Sequence, residues 1–190
     1  MTKTIGLYFG SFNPIHIGHL LVATHIREAA QLDEVWFIVS PQNPFKQNSS
    51  LADEHHRLQM VKLAVENVDY FKVSDIEFQL EKPSYTHITL KALTKQFPEH
   101  TFHLIIGEDN VAKFNEWKEA DWIQTNFKTY VYNRGNMHSE FNIQNSEFVT
   151  LPMFDISSTG IRNRIHNNQA ISYFVTKNVE QYIAFHKLYQ

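Results

Sequence analysis

The chain predicts an α/β fold, a doubly wound parallel sheet with helices on both faces, on three observations. Short apolar runs rich in β-formers recur along it, helical periodicities separate several of them, and glycine, proline or clustered polar residues follow the runs. In such sheets ligands bind beyond the carboxyl ends of the strands. The chemistry is therefore expected in the loops after Phe9, Val39, Ile106 and Leu151.

Ile5 to Phe9 reads as the first strand and stops at Gly10, where a turn residue belongs. Ser11 to Gly18 is irregular, and Val22, Ile26, Ala29 and Ala30 then share one face of a helix that begins near His19. Val35 to Val39 is continuously apolar, as in strands that a parallel sheet buries on both sides. Strand, helix and strand together have the size of a βαβ unit. Pro41 to Ser50 is polar and reads as a loop, and Leu58, Val61, Val65 and Val68 mark the next helix. Phe71 to Val73 is a short strand, Pro83 and Ser84 open a helix whose apolar face is Leu90, Leu93 and Phe97, and Thr101 to Ile106 is a strand ended by Gly107. Lys128 to Tyr132 is a fifth strand, Asn133 to Ser146 a polar loop, and Phe148 to Leu151 a sixth strand. Helices near Ser158 to Asn167 and Asn178 to His186 close the chain. The alternation describes a Rossmann-like sheet in a single domain spanning residues 1–190.

Composition narrows the function. Lysine and arginine number 17 against 20 aspartates and glutamates, a formal charge of −3 with no block of one sign, which argues against a general binder of nucleic acid or anionic membrane. A hydrophobic content of 43% is enough for a buried core, and six glycines with six prolines exclude collagen-like or linker-like composition. No apolar stretch approaches the roughly 20 residues needed to span a bilayer, and Met1 to Phe9 reads as a strand rather than a secretory signal. Without cysteine there is no disulfide or thiolate nucleophile; a soluble cytoplasmic protein is expected, with a homo-oligomer left open.

The loop after the first strand reads Gly10-Ser11-Phe12-Asn13-Pro14-Ile15-His16-Ile17-Gly18-His19. Its glycines let backbone approach a ligand closely, and the helix that follows points its positive end back at the loop. With two imidazole donors, His16 and His19, the segment suits phosphate. A strand-to-helix turn in which the histidines only cap the helix is the plain alternative. A zinc pair is another, but no carboxylate or cysteine ligand stands nearby, so no metal-ligating residue is assigned. Near the other end, Ser157, Ser158 and Thr159 can cap a helix and offer hydroxyl and amide donors to phosphate, with Arg162 one turn later as a fixed cation. Gly160 so early in a helix costs up to about 1 kcal/mol against alanine, which a close ligand or close packing would explain.

The first segment resembles the nucleotidyltransferase superfamily that carries a His-x-Gly-His motif, and Ile156-Ser157-Ser158-Thr159-Gly160-Ile161-Arg162 resembles the signature of nicotinate and nicotinamide mononucleotide adenylyltransferases. Class I aminoacyl-tRNA synthetases share the first string but need a later lysine-rich loop and an anticodon-binding domain. Pro44-Phe45-Lys46, Pro83-Ser84-Tyr85-Thr86, Ile105-Ile106-Gly107-Glu108-Asp109 and Trp117 extend the likeness to bacterial nicotinate mononucleotide adenylyltransferase over most of the chain. Departures fall at Phe45, where the family often has histidine, at Asn13, often aspartate, and at Asn133-Arg134-Gly135, often Arg-Pro-Gly.

The resemblance implies adenylyl transfer from ATP, accompanied by Mg2+ without a dedicated protein site, to nicotinate mononucleotide. It implies His16, His19 and Arg162 as catalytic, and Gly10, Ser11, Phe12, Gly107, Asp109, Ser157, Ser158 and Thr159 beside them as the ATP site. Lys46, Tyr85, Thr86, Trp117, Lys118 and Arg134 would bind the mononucleotide. Nicotinamide mononucleotide or phosphopantetheine as acceptor, a non-catalytic nucleotide-binding module and a metal-dependent hydrolase are the alternatives. The remaining histidines, among them His87, have no spacing that suggests chemistry.

Overall fold

The computed structural model describes residues 1–41, 51–134, 143–152 and 154–190, with the Arg134 side chain outside that set. Six parallel strands are ordered β3-β2-β1-β4-β5-β6: β1 Thr4–Gly10, β2 Glu34–Val39, β3 Phe71–Ser74, β4 Thr101–Gly107, β5 Thr129–Arg134 and β6 Ser146–Leu151. The chain winds outward from β1 through β2 to β3, returns to the centre at β4, and winds outward again to β6. The expected fold class holds.

Strand side chains alternate between two apolar clusters, which is why the central runs are apolar throughout. Val35, Phe37 and Val39 of β2 face α1 (Ile17–Ala29), α2 (Glu54–Val65), α6 (Ser158–His166) and α7 (Lys177–Phe185). Ile5 and Leu7 of β1 and Leu104 and Ile106 of β4 face α3 (Thr86–Gln96), α4 (Glu108–Val111) and α5 (Ala120–Asn126).

Three boundaries differ from expectation. Helix α1 begins at Ile17, because His16 is already its extended N-cap and the His16 carbonyl accepts from the His19 amide at 2.9 Å. Helix α3 begins at Thr86, after an extended Tyr85. The segment after Gly107 carries α4, a 3-10 turn at Phe114–Glu116 and α5, none of them announced by periodicity. Elements this short bury one residue each, Val111, Phe114 and Ile123, too few to establish a period.

Candidate active site

Two cavities open at the carboxyl ends of β1 and β4, where the winding reverses. The larger, of about 520 Å³, is walled by the first loop, the end of β5 and residues following β4 and β6. The smaller, of about 340 Å³, lies toward α3 and the 3-10 turn. They share Tyr8, Phe9, Gly10, Gly107, Asn110 and Tyr132, and the hydroxyls of Tyr8 and Tyr132 stand 3.0 Å apart.

His19 lines the larger cavity and His16 does not. His16 is 2% exposed and its ring stacks beneath His19, with centroids 3.7 Å apart and planes at 23°. The His16 backbone amide donates to His19 Nδ1 at 3.2 Å. That bond needs Nδ1 as acceptor, so a neutral His19 carries its proton on Nε2 and keeps a donor there. Gly18 makes the stack possible, since a Cβ on it would come within 3.0 Å of the His16 ring. The capping alternative is thus realised in part, and it fixes how His19 faces the cavity.

The late motif is bolted to the first. Ser158 Oγ donates to the Pro14 carbonyl at 2.9 Å and Arg162 Nη1 to the Asn13 carbonyl at 2.8 Å, across 144 and 149 positions of sequence. Arg162 Nη2 also donates to Thr159 Oγ1 at 3.2 Å. Ser158, Thr159 and Arg162 line the larger cavity; Ser157 instead caps α6, its Oγ accepting from the Gly160 amide at 3.1 Å. A Cβ on Gly160 would sit 3.2 Å from that oxygen, a tight contact that a small shift would relieve.

Asp109 lies on the cavity wall in the first turn of α4, whose N-cap is Gly107. A Cβ on Gly107 would come within 2.5 Å of Asp109 Oδ1, so any other residue there would push this carboxylate aside. Asn133 lines the same cavity, with Oδ1 buried and without a hydrogen bond among the described residues.

The smaller cavity gathers Tyr85, Thr86, Trp117 and Lys118. Tyr85 gives α3 no side-chain cap; its carbonyl accepts from the Ile88 and Thr89 amides, which leaves the Thr86 and His87 amides without an acceptor among the described residues. Trp117 is half-buried, braced by Phe114 at 5.2 Å between ring centroids, and Lys118 Nζ lies 3.8 Å from the centre of the Tyr85 ring. Two ionisable groups that sequence reading did not select also line it. His87 is 8% exposed, with Nε2 3.6 Å from Glu119 Oε1, and burial lowers its pKa. Glu77 is 1% exposed and burial raises its pKa.

Arg57 touches neither cavity. Arg57 is 1% exposed and donates to four carbonyls: Ala52 at 3.0 Å, Ser11 at 2.6 Å, Ser40 at 2.7 Å and Pro41 at 2.8 Å. It joins the loops after β1 and β2 to the start of α2. Its sequence signal is phase, since Arg57 falls four residues before Val61 on the apolar face of α2. Asn13, one of the departures, is likewise engaged: its Oδ1 accepts from the Ala52 amide at 3.1 Å and from Tyr189 at 2.8 Å. Phe45 and Lys46 fall outside the described residues, as does the Arg134 side chain at the end of β5.

A profile of the cytidylyltransferase-like family matches residues 7–164. The chain is 47% identical over 187 residues to a probable nicotinate-nucleotide adenylyltransferase of Cytophaga hutchinsonii, covering 97% of each chain. It is 44% identical over 191 residues to one of Flavobacterium johnsoniae, covering 98% of each. Among solved structures it resembles the Plasmodium falciparum nicotinic acid mononucleotide adenylyltransferase complexed with NaAD, with a TM-score of 0.81 at 23% identity, covering 98% of this chain and 97% of that one.

Proposed function

The chain belongs to the cytidylyltransferase-like family, and on that premise we propose that it transfers the adenylyl group of ATP to nicotinate mononucleotide, giving deamido-NAD and pyrophosphate in NAD biosynthesis. The names of the relatives support the acceptor. The observation that carries the reading is the pair of unlike cavities meeting at the sheet's switch point, one rich in phosphate donors and one walled by aromatic rings.

A phosphate oxygen of the mononucleotide attacks the α-phosphorus of ATP. The new P–O bond forms as the bond to the β-phosphate bridging oxygen breaks, and pyrophosphate leaves with the electron pair. No protein nucleophile takes part, so catalysis consists of positioning and charge stabilisation. His19 Nε2–H and Arg162 meet the charge building on the phosphates, and His16 holds the His19 ring from beneath. Ser11, Ser158, Thr159 and the backbone at Gly10 and Phe12 complete the cradle; Ser157 serves it by capping α6. Asp109 accepts from ribose hydroxyls. ATP enters as its magnesium complex. The ion is held mainly by phosphate oxygens and water rather than by a protein cage.

In the smaller cavity Trp117 stacks on the pyridinium ring, while the amides near Thr86 and Lys118 meet the nicotinate carboxylate. Tyr85 shapes the wall, and Lys46 and Arg134 serve the mononucleotide phosphate. A cytoplasmic location suits these substrates, and among the described residues no helix is long and apolar enough to cross a membrane.

The test is pyrophosphate release from ATP with nicotinate mononucleotide, nicotinamide mononucleotide and phosphopantetheine in turn. Nicotinate mononucleotide is expected to turn over. Its kcat/KM should exceed that of the amide by about 5- to 150-fold, because the amide leaves one buried donor unmatched. ATP binding without pyrophosphate release from any acceptor would make the protein a nucleotide-binding module.

A further inference from the structure

Glu77 has no place in the mechanism above. It sits on a 3-10 turn (Ile76–Gln79) after β3, in the wall of the smaller cavity. Thr89 Oγ1 donates to its Oε1 at 2.8 Å, whereas Oε2 is buried with no hydrogen-bond partner among the described residues. The Ser40 and Ser84 hydroxyls stand close enough to favour the ionised form without completing a bond to Oε2. No cationic side chain pairs with Glu77 among the described residues.

A carboxylate left in this state is costly, and a protein ordinarily supplies a cation or releases the charge to water. Among the described residues neither is done, so burial holds the carboxyl of the empty cavity toward its protonated form and a cation brought beside it favours ionisation. The ligand of this cavity, on the reading just given, is an N-glycosyl pyridinium, which carries a permanent positive charge on its ring. Glu116 also borders the cavity but is exposed, so solvent screens it. Glu77 is the acidic wall residue that water does not screen. Its carboxyl need not touch the ring, because charge acts across a low-dielectric cavity without contact.

We propose that Glu77 is the counter-charge of the pyridinium ring, a specificity-determining residue that selects a cationic ring over a neutral one of the same shape. The nicotinate carboxylate is met by the first amides of α3, so the two ends of the ligand face opposite charges. The inference rests on the smaller cavity being the mononucleotide site.

Isothermal titration of the full chain without ATP tests it. The ligands are nicotinate mononucleotide and the C-riboside 5′-phosphate of benzoic acid, in which carbon replaces the ring nitrogen. Glu77→Gln, which retains an acceptor for Thr89, should weaken the cationic ligand about tenfold and the neutral one less than twofold. Glu77→Asp should keep most of the preference. Equal weakening of both ligands would reduce Glu77 to a support for α3 and overturn the proposal, as would no weakening at all. Should Glu77→Gln fail to fold, Trp117→Ala decides instead. With the aromatic face removed, a several-fold preference for the cationic ring must remain, and its disappearance would assign the preference to the tryptophan. Binding is read without turnover, so absence of pyrophosphate release would sink the reaction without deciding the counter-charge, while turnover without ring-charge discrimination would sink the counter-charge alone.

Discussion

The two cavities share a rim but differ in how they are made. The phosphate donors of the larger come mainly from two stretches of chain, the loop before α1 and the start of α6, held together by Ser158 and Arg162 donating to carbonyls of the first loop, while the residues after β4 and the end of β5 complete its wall. Its donors are hydroxyls, amides and side-chain cations, the groups that phosphate recognition needs. The smaller draws on Ser40 after β2, the turn after β3, the start of α3 and the segment before α5, and it encloses two ionisable groups whose pKa values burial moves in opposite directions. A charge-stabilising site can be written as a motif because backbone geometry near one helix terminus does much of the work. A site that discriminates between rings needs walls from several directions, and those come from segments far apart in sequence.

The contrast can be broken at its strongest point. His19→Ala is expected to lower kcat on the order of 100-fold or more, with the circular dichroism spectrum and melting temperature near wild type. Near-normal pyrophosphate release would remove the larger cavity from the chemistry. Arg57→Leu strips four carbonyls of their donor and is expected to cost about 3 kcal/mol or more of unfolding free energy in denaturant titration. A small loss would mean that the loops after β1 and β2 are held by other contacts.

Smaller effects sharpen the same comparison. Trp117→Ala should raise the KM for the mononucleotide about tenfold and that for ATP less than about twofold. Equal increases would merge the two cavities into one functional unit. Glu77→Gln offers a readout without ligand. Burial makes the folded carboxyl hold its proton more tightly than the unfolded one, so stability falls as pH rises from the ordinary carboxylate range through the folded-state pKa and stays lower above it. The variant should therefore melt a few degrees above wild type at neutral pH and converge with it in acid. A lower melting temperature at neutral pH would show that the ionised group stabilises the empty protein.

Much of the fold was legible in sequence. The six strands were found with their boundaries within a few residues, since Val35 to Val39 and Thr101 to Ile106 need apolar side chains on both faces. The short elements between Gly107 and Phe127 were not, because one buried side chain per element leaves no period to read. The site divided in the same way. The motifs and the family likeness single out His19, Arg162 and Trp117, and each borders a cavity, whereas no spacing singles out His87, which borders one too.

The sequence by itself determined the sheet, its helical layers and the two motifs of the larger cavity, because apolar periodicity and helix-terminus chemistry are local. Only the tertiary structure decided that His16 lies beneath His19 rather than in the cavity, that Arg57 binds two loops to α2, and that Glu77 is enclosed with no cation beside it among the described residues. Burial and hydrogen-bond partners are properties of what packs around a residue, and for these three the partners lie on other turns or strands. A carboxyl enclosed by residues distant in sequence leaves no mark in the residues around it.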